Sequence, residues 1–261
     1  MKVSPKKHLG QHFLTNQGIC QRIVDAIPVF ENKMPVLEIG PGKGAITSLL
    51  LGRKDFDLHA IEIDLESIQY LNNTFPDFRK VYCLDFLKAD LTEHFFHSPF
   101  CVVGNFPYNI SSQILFKCLE YRQQIPLIVG MFQKEVAKRI AEPPGSKEYG
   151  ILSVLMQTFY TVEYLFSIEP GSFYPPPKVN SGVIRCVRNN RSSLGCDEKL
   201  FFTVVKTAFN QRRKTIKNAL KAKLNEVEVP EELASKRAEQ LSVEAYISLT
   251  KVIEKNAEKK G

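Results

Sequence analysis

The 261-residue chain predicts an α/β fold: a mostly parallel, seven-stranded sheet with helices on both faces, followed by a small all-helical C-terminal domain. Three observations predict it. Short apolar runs alternate with stretches of helical periodicity along most of the chain, the pattern of strand–helix–strand units that lay their strands side by side. A glycine-rich turn, Gly40 to Gly44, separates the first such strand from the helix after it. Beyond the polar segment Asn189 to Asp197 the strand pattern stops, and only helical periodicity remains.

Each element follows from its residues. Gly18 to Val29 predicts a helix, with Ile19, Ile23 and Ile27 on one face. Pro35 to Ile39 is a short apolar strand, and a helix through Leu49 to Leu51 follows the glycine turn. Leu58 to Ile63 is the second strand, and Asp64 is placed to cap the next helix, which carries Ile68 and Leu71. Arg79 to Leu84, Pro99 to Val103 and Pro126 to Phe132 are further strands. A helix starting at Ser111 or Ser112 lies between the last two, with Ile114, Leu115, Cys118 and Leu119 periodic. Glu135 to Ala141 and Gly150 to Tyr160 are helical. Val162 to Glu169 and Val179 to Val187 are late strands around a proline-rich loop, suited to an antiparallel hairpin at one edge. In the C-terminal part, Phe201, Val205, Phe209, Ile216 and Leu220 share one apolar face, and two more short helices are expected. The resulting division is residues 1–190 and 198–261.

Composition narrows the function. Apolar residues make up 44% and charged residues 24%, which excludes a disordered or fibrous chain. No apolar run approaches the ~18 residues that cross a bilayer, and no apolar segment follows the N-terminal lysines, so neither a membrane span nor a secretory signal is expected. Cys20, Cys83, Cys101, Cys118, Cys186 and Cys196 are scattered without a CxxC pair, which fits a reducing cytoplasm and no structural zinc site. His94 and His97 lack further ligands nearby in sequence, so no metal site is expected there. The net charge is +7 and unevenly placed. No acid precedes Asp25, whereas Lys2, Lys6, Lys7 and Arg22 do, and Lys206 to Lys223 holds seven basic residues and no acid. Two acid-free stretches suit a polyanion, because each neutralised phosphate releases counterions.

The turn Glu38-Ile39-Gly40-Pro41-Gly42-Lys43-Gly44 lets the backbone approach a ligand closely. Glu62 ends the second strand about 20 residues on, where an acid accepts hydrogen bonds from ribose hydroxyls. A dinucleotide site would prefer GxGxxG and a helix N-terminus aimed at pyrophosphate. Here the spacing is GxGxG, with Glu38 two residues before the first glycine. A carboxylate there disfavours pyrophosphate and suits a cationic amino-acid or sulfonium group, which favours S-adenosylmethionine (SAM) over NAD. Asp85, ending the third strand, is placed to accept from an adenine amine.

Gly104-Asn105-Phe106-Pro107-Tyr108 follows the fourth strand, at the sheet end where ligands of open α/β folds bind. An exocyclic adenine amine is a poor nucleophile because its lone pair is conjugated with the ring. Asn105 and a backbone carbonyl can accept its N–H bonds and favour a pyramidal nitrogen. Pro107 fixes the turn, and Tyr108 can stack on a flipped base. No general base is required, so catalysis is orientation plus electrostatics.

These motifs, with Lys6-Lys7-His8-Leu9-Gly10-Gln11-His12-Phe13-Leu14, Phe173-Tyr174-Pro175-Pro176-Pro177-Lys178-Val179-Asn180-Ser181 and Ala208-Phe209-Asn210-Gln211-Arg212-Arg213-Lys214-Thr215-Ile216, cover nearly the whole chain. Together they resemble the family of small-subunit rRNA adenine dimethyltransferases, its bacterial branch best. The resemblance implies a Rossmann-like class I SAM methyltransferase domain and a helical rRNA-binding domain. It implies that Glu62 holds the SAM ribose and Asp85 its adenine, that Gly40 and Gly42 line the cofactor, and that His12 and Leu14 close over it. Asn105 would engage the target N6 beside Phe106 and Pro107, with Tyr108 and Phe173 stacking on the base. Lys6, Lys7, Lys178, Arg212, Arg213, Lys214 and Lys217 would lie near RNA. The implied reaction is dimethylation of two adjacent adenosines in a hairpin near the 3′ end of 16S rRNA, during small-subunit assembly, by a cytoplasmic monomer. The sequence departs from the family at His12, commonly Asn, and at Phe106, commonly aliphatic. The alternatives are a large-subunit adenine methyltransferase of the erythromycin-resistance type and a non-catalytic RNA-binding assembly factor, with an NAD oxidoreductase a distant third.

Overall fold

The computed structural model describes residues 3–94, 98–221 and 229–258. Lys2, His97 and Lys223 lie outside them. The chain forms two compact units: residues 1–137 with 162–188, and residues 138–161 with 189–261. The first contains every strand-forming motif up to the polar segment. The second unites the C-terminal helices with a helical stretch that the sequence division assigned to the N-terminal part.

In chain order the elements are β1 (Phe13–Leu14), α1 (Gln17–Asp25), β2 (Met34–Ile39), α2 (Thr47–Leu51), β3 (Phe56–Glu62), α3 (Leu65–Thr74), β4 (Val81–Cys83), α4 (Leu91–His94), β5 (Cys101–Asn105), α5 (Ser111–Glu120), β6 (Leu127–Gln133), α6 (Lys134–Ala141), α7 (Ile151–Phe159), β7 (Tyr160–Ile168), β8 (Phe173–Tyr174), β9 (Ser181–Arg188), α8 (Glu198–Asn210), α9 (Ile216–Lys221), α10 (Glu231–Ala234) and α11 (Val243–Glu258).

Seven strands form one sheet in the order β4-β3-β2-β5-β6-β9-β7. β2 runs parallel to β3 and β5, β3 to β4, and β5 to β6. β9 is antiparallel to β6, and β7 lies beyond it at the edge, where the sequence placed the late strand pair. Strand side chains alternate between faces. Val36, Leu58, Ala60, Cys101, Val103, Val129 and Met131 pack in one core with Ile23 of α1, Leu50 of α2 and Ile46 just before α2. The alternate residues Leu37, Ile61, Val102 and Ile128 are also fully buried. Both faces are therefore covered, as a parallel sheet requires.

Local chemistry sets the helix ends. Asn16 caps α1 by accepting from the Ile19 amide, and Asp64 caps α3 by accepting from the Glu66 amide. α1 stops at Asp25 rather than Val29, since Pro28 disfavours helix at the residue before it, and Val29 is exposed.

In the second unit Asp197 caps α8 through the Leu200 amide. The single apolar face expected from Phe201 to Leu220 is split, because residues 211–215 turn between α8 and α9. The last helix is also longer than expected, at 16 residues. Tyr149 and Tyr246 flank Phe209 at ring-centroid distances of 6.2 and 6.1 Å. The Tyr246 hydroxyl donates to the Ala238 carbonyl at 2.9 Å. No helix among the described residues is long and apolar enough to cross a membrane.

Candidate active site

A cavity of about 240 Å³ opens in the first unit where β2, β3, β4 and β5 end. Its wall brings together His12, Leu14, Gly40, Gly42, Glu62, Asp85 and the loop Asn105 to Tyr108, all expected from sequence. Glu38 joins them.

The glycine turn forms the floor. Gly42 has φ +55°, and a Cβ there would sit 2.9 Å from the Phe13 ring, so both conformation and space demand glycine. The Gly42 amide donates to Glu62 Oε2 at 3.1 Å, while Glu62 Oε1 accepts the Ile63 and Asp64 amides at 2.8 and 2.9 Å. Glu62 is buried, and desolvation raises its pKa despite these three donors. Glu38 is 1% exposed and accepts from Thr47 Oγ1 at 2.6 Å. Burial, with the charge of Glu62 adding to it, pushes its pKa up to about 8. Asp85 Oδ1 accepts the Leu87 amide at 2.9 Å.

A second wall is the Asn105–Tyr108 loop, beside the turn at Gly40. Asn105 Nδ2 donates to the His12 carbonyl at 2.7 Å, which leaves Oδ1 without a donor among the described residues. The Phe106 carbonyl is likewise free among them. The Phe106 ring is fully buried and fills a slot over Gly104 and Gly130, which are register partners on β5 and β6. A Cβ on either glycine would meet that ring at 2.9 or 2.4 Å, and the Phe106 and Phe132 rings meet edge to face, 5.2 Å between centroids. The large side chain at this position is thus accommodated inside the sheet and leaves the backbone in place. Ser111 Oγ donates to the Tyr108 carbonyl, and Tyr108 Oη pairs with Ser181 Oγ. Burial raises the Tyr108 pKa, the Ser181 bond opposing it, so the phenol stays neutral.

The N-terminal segment lies along the rim. Its 3-10 turn Lys7–Leu9 leads to β1, which pairs antiparallel with β8: Phe13 opposite Tyr174, Leu14 opposite Phe173. His12 Nδ1 lies 2.8 Å from the Pro175 carbonyl, so that nitrogen carries the hydrogen. The His12 ring also stacks on Tyr108, at 5.6 Å between centroids and 29° between planes. At the other end of the segment, Lys6 Nζ and Gln11 Nε2 both donate to Asp64, which also accepts from Ser67 and the Glu66 amide. Burial opposes ionisation of Asp64, but these donors outweigh it and hold its pKa below the usual carboxylate value.

Not every expected residue meets the cavity. Phe173 is 4% exposed, packs with Leu14 in the sheet core and does not line the cavity. Lys6 is engaged by Asp64 and Glu66. Arg212, in the second unit, bonds to Glu239 and to the Lys147 carbonyl. Lys7, Lys178, Arg213, Lys214 and Lys217 are exposed. Sequence reasoning saw Asp64 only as a helix cap and gave Ser181 no role of its own. A cap two residues after a ligand-facing acid, and a hydroxyl ending a proline loop, were the available signals. Among the described residues no group of three or more His, Cys, Asp or Glu could hold a metal ion.

A mostly parallel sheet covered on both faces, with a glycine turn, an acid and a cavity at its carboxyl end, defines the class: a class I methyltransferase of the SAM-dependent fold. The family model described as ribosomal RNA adenine dimethylase matches residues 3–255, and the chain belongs to that family. It is 54% identical to the ribosomal RNA small subunit methyltransferase A of Parabacteroides distasonis, over 99% of this chain and 97% of that one. Among solved structures it resembles a dimethyladenosine transferase from Plasmodium falciparum, with TM-score 0.77 and 26% identity over 91% of this chain and 96% of that one. It also resembles the 23S rRNA methyltransferase ErmE, with TM-score 0.69 and 25% identity over 92% of this chain and 99% of that one. The chain is an rRNA methyltransferase.

Proposed function

We infer that this chain dimethylates N6 of two adjacent adenosines in a hairpin near the 3′ end of 16S rRNA, with SAM as methyl donor. The observation that carries the reading is the Asn105 amide. Its Nδ2 is tied to the His12 carbonyl at 2.7 Å, so its Oδ1, with the free Phe106 carbonyl, offers two acceptors to an incoming amine. Both stand in the same cavity as the Gly42–Glu62 floor.

The residues present fit SAM. Glu62, which already takes three backbone amides, has acceptor capacity left on Oε2 for a ribose hydroxyl. Asp85 is available to an adenine amine, and His12, Leu14, Gly40 and Gly42 would line the site. Glu38, buried behind the turn, becomes favourable as a carboxylate when a cation sits beside it. SAM supplies the electrophilic methyl carbon when bound. Asn105 and the Phe106 carbonyl orient the adenine N6 and draw its lone pair out of conjugation, which makes the amine nucleophilic without a base. Tyr108, fixed by Ser181 and His12, offers a ring face to the flipped base. Lys7, Lys178, Arg213, Lys214 and Lys217 serve the phosphates, and residues 198–261 act as the rRNA-binding domain. The reading places a monomer in the cytoplasm.

The test is incubation of unmethylated small subunits, and separately large subunits, with methyl-labelled SAM, followed by mapping of modified bases. Two dimethylated adjacent adenosines in small-subunit rRNA are expected. Label confined to large-subunit rRNA would assign the chain to the erythromycin-resistance type.

A further inference from the structure

We propose that Tyr174 is a stacking platform for the RNA nucleotide next to the one that enters the cavity; this rests on the RNA reading above. The argument starts from the register of the β1–β8 ribbon. Phe13 lies opposite Tyr174, and Leu14 opposite Phe173. Directly opposed residues of a two-stranded ribbon share a face, and successive residues alternate. Leu14 and Phe173 form the inner face, in the sheet core. Phe13 and Tyr174 therefore share the other face, and the Phe13 ring lies against Gly42 at the cavity floor. Tyr174 is not part of the cavity wall, and it is 59% exposed. Its ring is solvent-exposed, and its register partner Phe13 lines the cavity.

Exposure of a tyrosine means little alone. Here the backbone beneath it is fixed on both sides. Thr15 donates to the Ser172 carbonyl through its amide and its hydroxyl, at 2.8 and 3.0 Å, and His12 holds the Pro175 carbonyl. Prolines at 175, 176 and 177 stiffen the chain beyond. An aromatic ring on a fixed backbone loses little freedom when a base stacks on it. No Asp or Glu occurs from Pro170 to Cys196, and Lys178 is exposed four residues on. The nearest acid in sequence, Glu169, is engaged by Asn180. Lys43 Nζ stands 5.9 Å from the Phe13 ring, on the face that Tyr174 shares. An exposed aromatic in an acid-free segment that carries a lysine suits a base with its phosphate rather than an apolar peptide. Because the platform stands outside the cavity, it takes the neighbour of the target.

The experiment compares Tyr174→Ala, Tyr174→Leu, Tyr174→Phe and Tyr174→Trp in the full-length protein. Affinity for unmethylated small subunits is measured by filter binding, SAM affinity by calorimetry, and methyl transfer by label incorporation. The Ala and Leu variants should weaken subunit binding roughly tenfold and raise KM in step, with SAM affinity, kcat at saturation and Tm unchanged. The Phe and Trp variants should bind within about twofold of the parent, because every aromatic face stacks. Parent-like binding by Ala and Leu would overturn the proposal. So would Phe binding as weakly as Ala, which would make the hydroxyl the contact. The unmutated protein in the same assay tests the underlying reading separately. If it transfers no methyl to small-subunit rRNA while the Ala variant still binds it less tightly, the reading fails and the platform stands.

Discussion

The two walls of the cavity treat their polar groups in opposite ways. At the end of β3, the Glu62 carboxylate is occupied by the amides of Gly42, Ile63 and Asp64, and Asp64 in turn collects four donors. At the end of β5, Asn105 makes one bond through its nitrogen and leaves its oxygen open, beside an open carbonyl. The first wall is held in shape by its own backbone before any ligand arrives. The second has acceptors that no donor among the described residues engages. Asn105 is half-buried and lines the cavity, so an oxygen there that no described residue engages stays available to a ligand's donor. The difference teaches where to look for chemistry: under the function proposed above, the saturated wall recognises the cofactor and the open wall meets the reacting amine.

The largest effect is expected at the open wall. Asn105→Ala should lower kcat about 10²–10³-fold while rRNA affinity stays within about twofold. Unchanged turnover would erase the contrast between the walls.

Next comes Glu62→Gln. A glutamine can keep an oxygen toward the Ile63 and Asp64 amides, but its NH₂ then faces the Gly42 N–H. SAM affinity should fall about tenfold or more, and Tm should drop by about 2–8 °C, since the lost acceptor belongs to the fold as well as to the ligand. Loss of SAM binding with Tm intact would mean that the wall is less committed to its own backbone than the three amide bonds suggest.

The third concerns Glu38. Its carboxyl ionises at about 8 in the folded chain, against an ordinary value of 4.5. Between those values the native state keeps a proton that the unfolded state has lost, so stability is highest on the acid side and falls as pH rises towards 8. Glu38→Gln should flatten the dependence of Tm on pH in that window. Binding of cationic SAM near neutral pH should release protons from the parent and fewer from the variant, measured calorimetrically in buffers of different ionisation enthalpy. Equal slopes in both proteins would assign the titration elsewhere.

The smallest effect extends the contrast to the second unit, where Arg212 is used by Glu239 and Lys147 and its neighbour Arg213 is exposed. Arg213→Ala should leave Tm within about 1 °C, weaken rRNA binding a few-fold and reduce the salt slope by about one. Arg212→Ala should instead lower Tm. The reverse pattern would exchange their roles.

The sheet was legible because its central strands β2, β5 and β6 are mostly apolar on both faces, and the glycine turn because only glycine satisfies its backbone and the Phe13 ring. Asp64, Glu62 and Asn105 could be located from their places after strands. The β1–β8 ribbon was not legible, since two residues per strand carry no period, and with it went the burial of Phe173 and the exposure of Tyr174. The engagement of Lys6 and Arg212 was hidden for a different reason. A run of basic residues shows charge, whereas their partners Asp64 and Glu239 come from distant segments. The turn at residues 211–215 was masked by apolar residues that continue the helical spacing across it.

The ribbon also bears on how the protein comes into being. Residue 12 reaches its acceptor at residue 175, so the link closes a loop of most of the chain. Synthesis proceeds from the N-terminus, and distant pairings are slow to form. A chain still emerging from the ribosome holds the glycine turn and Asn105 long before it holds the strand that straps the leading segment down. Competence to modify RNA therefore waits at least until residue 175, about two thirds of the way along the 261-residue chain, has left the translating machine.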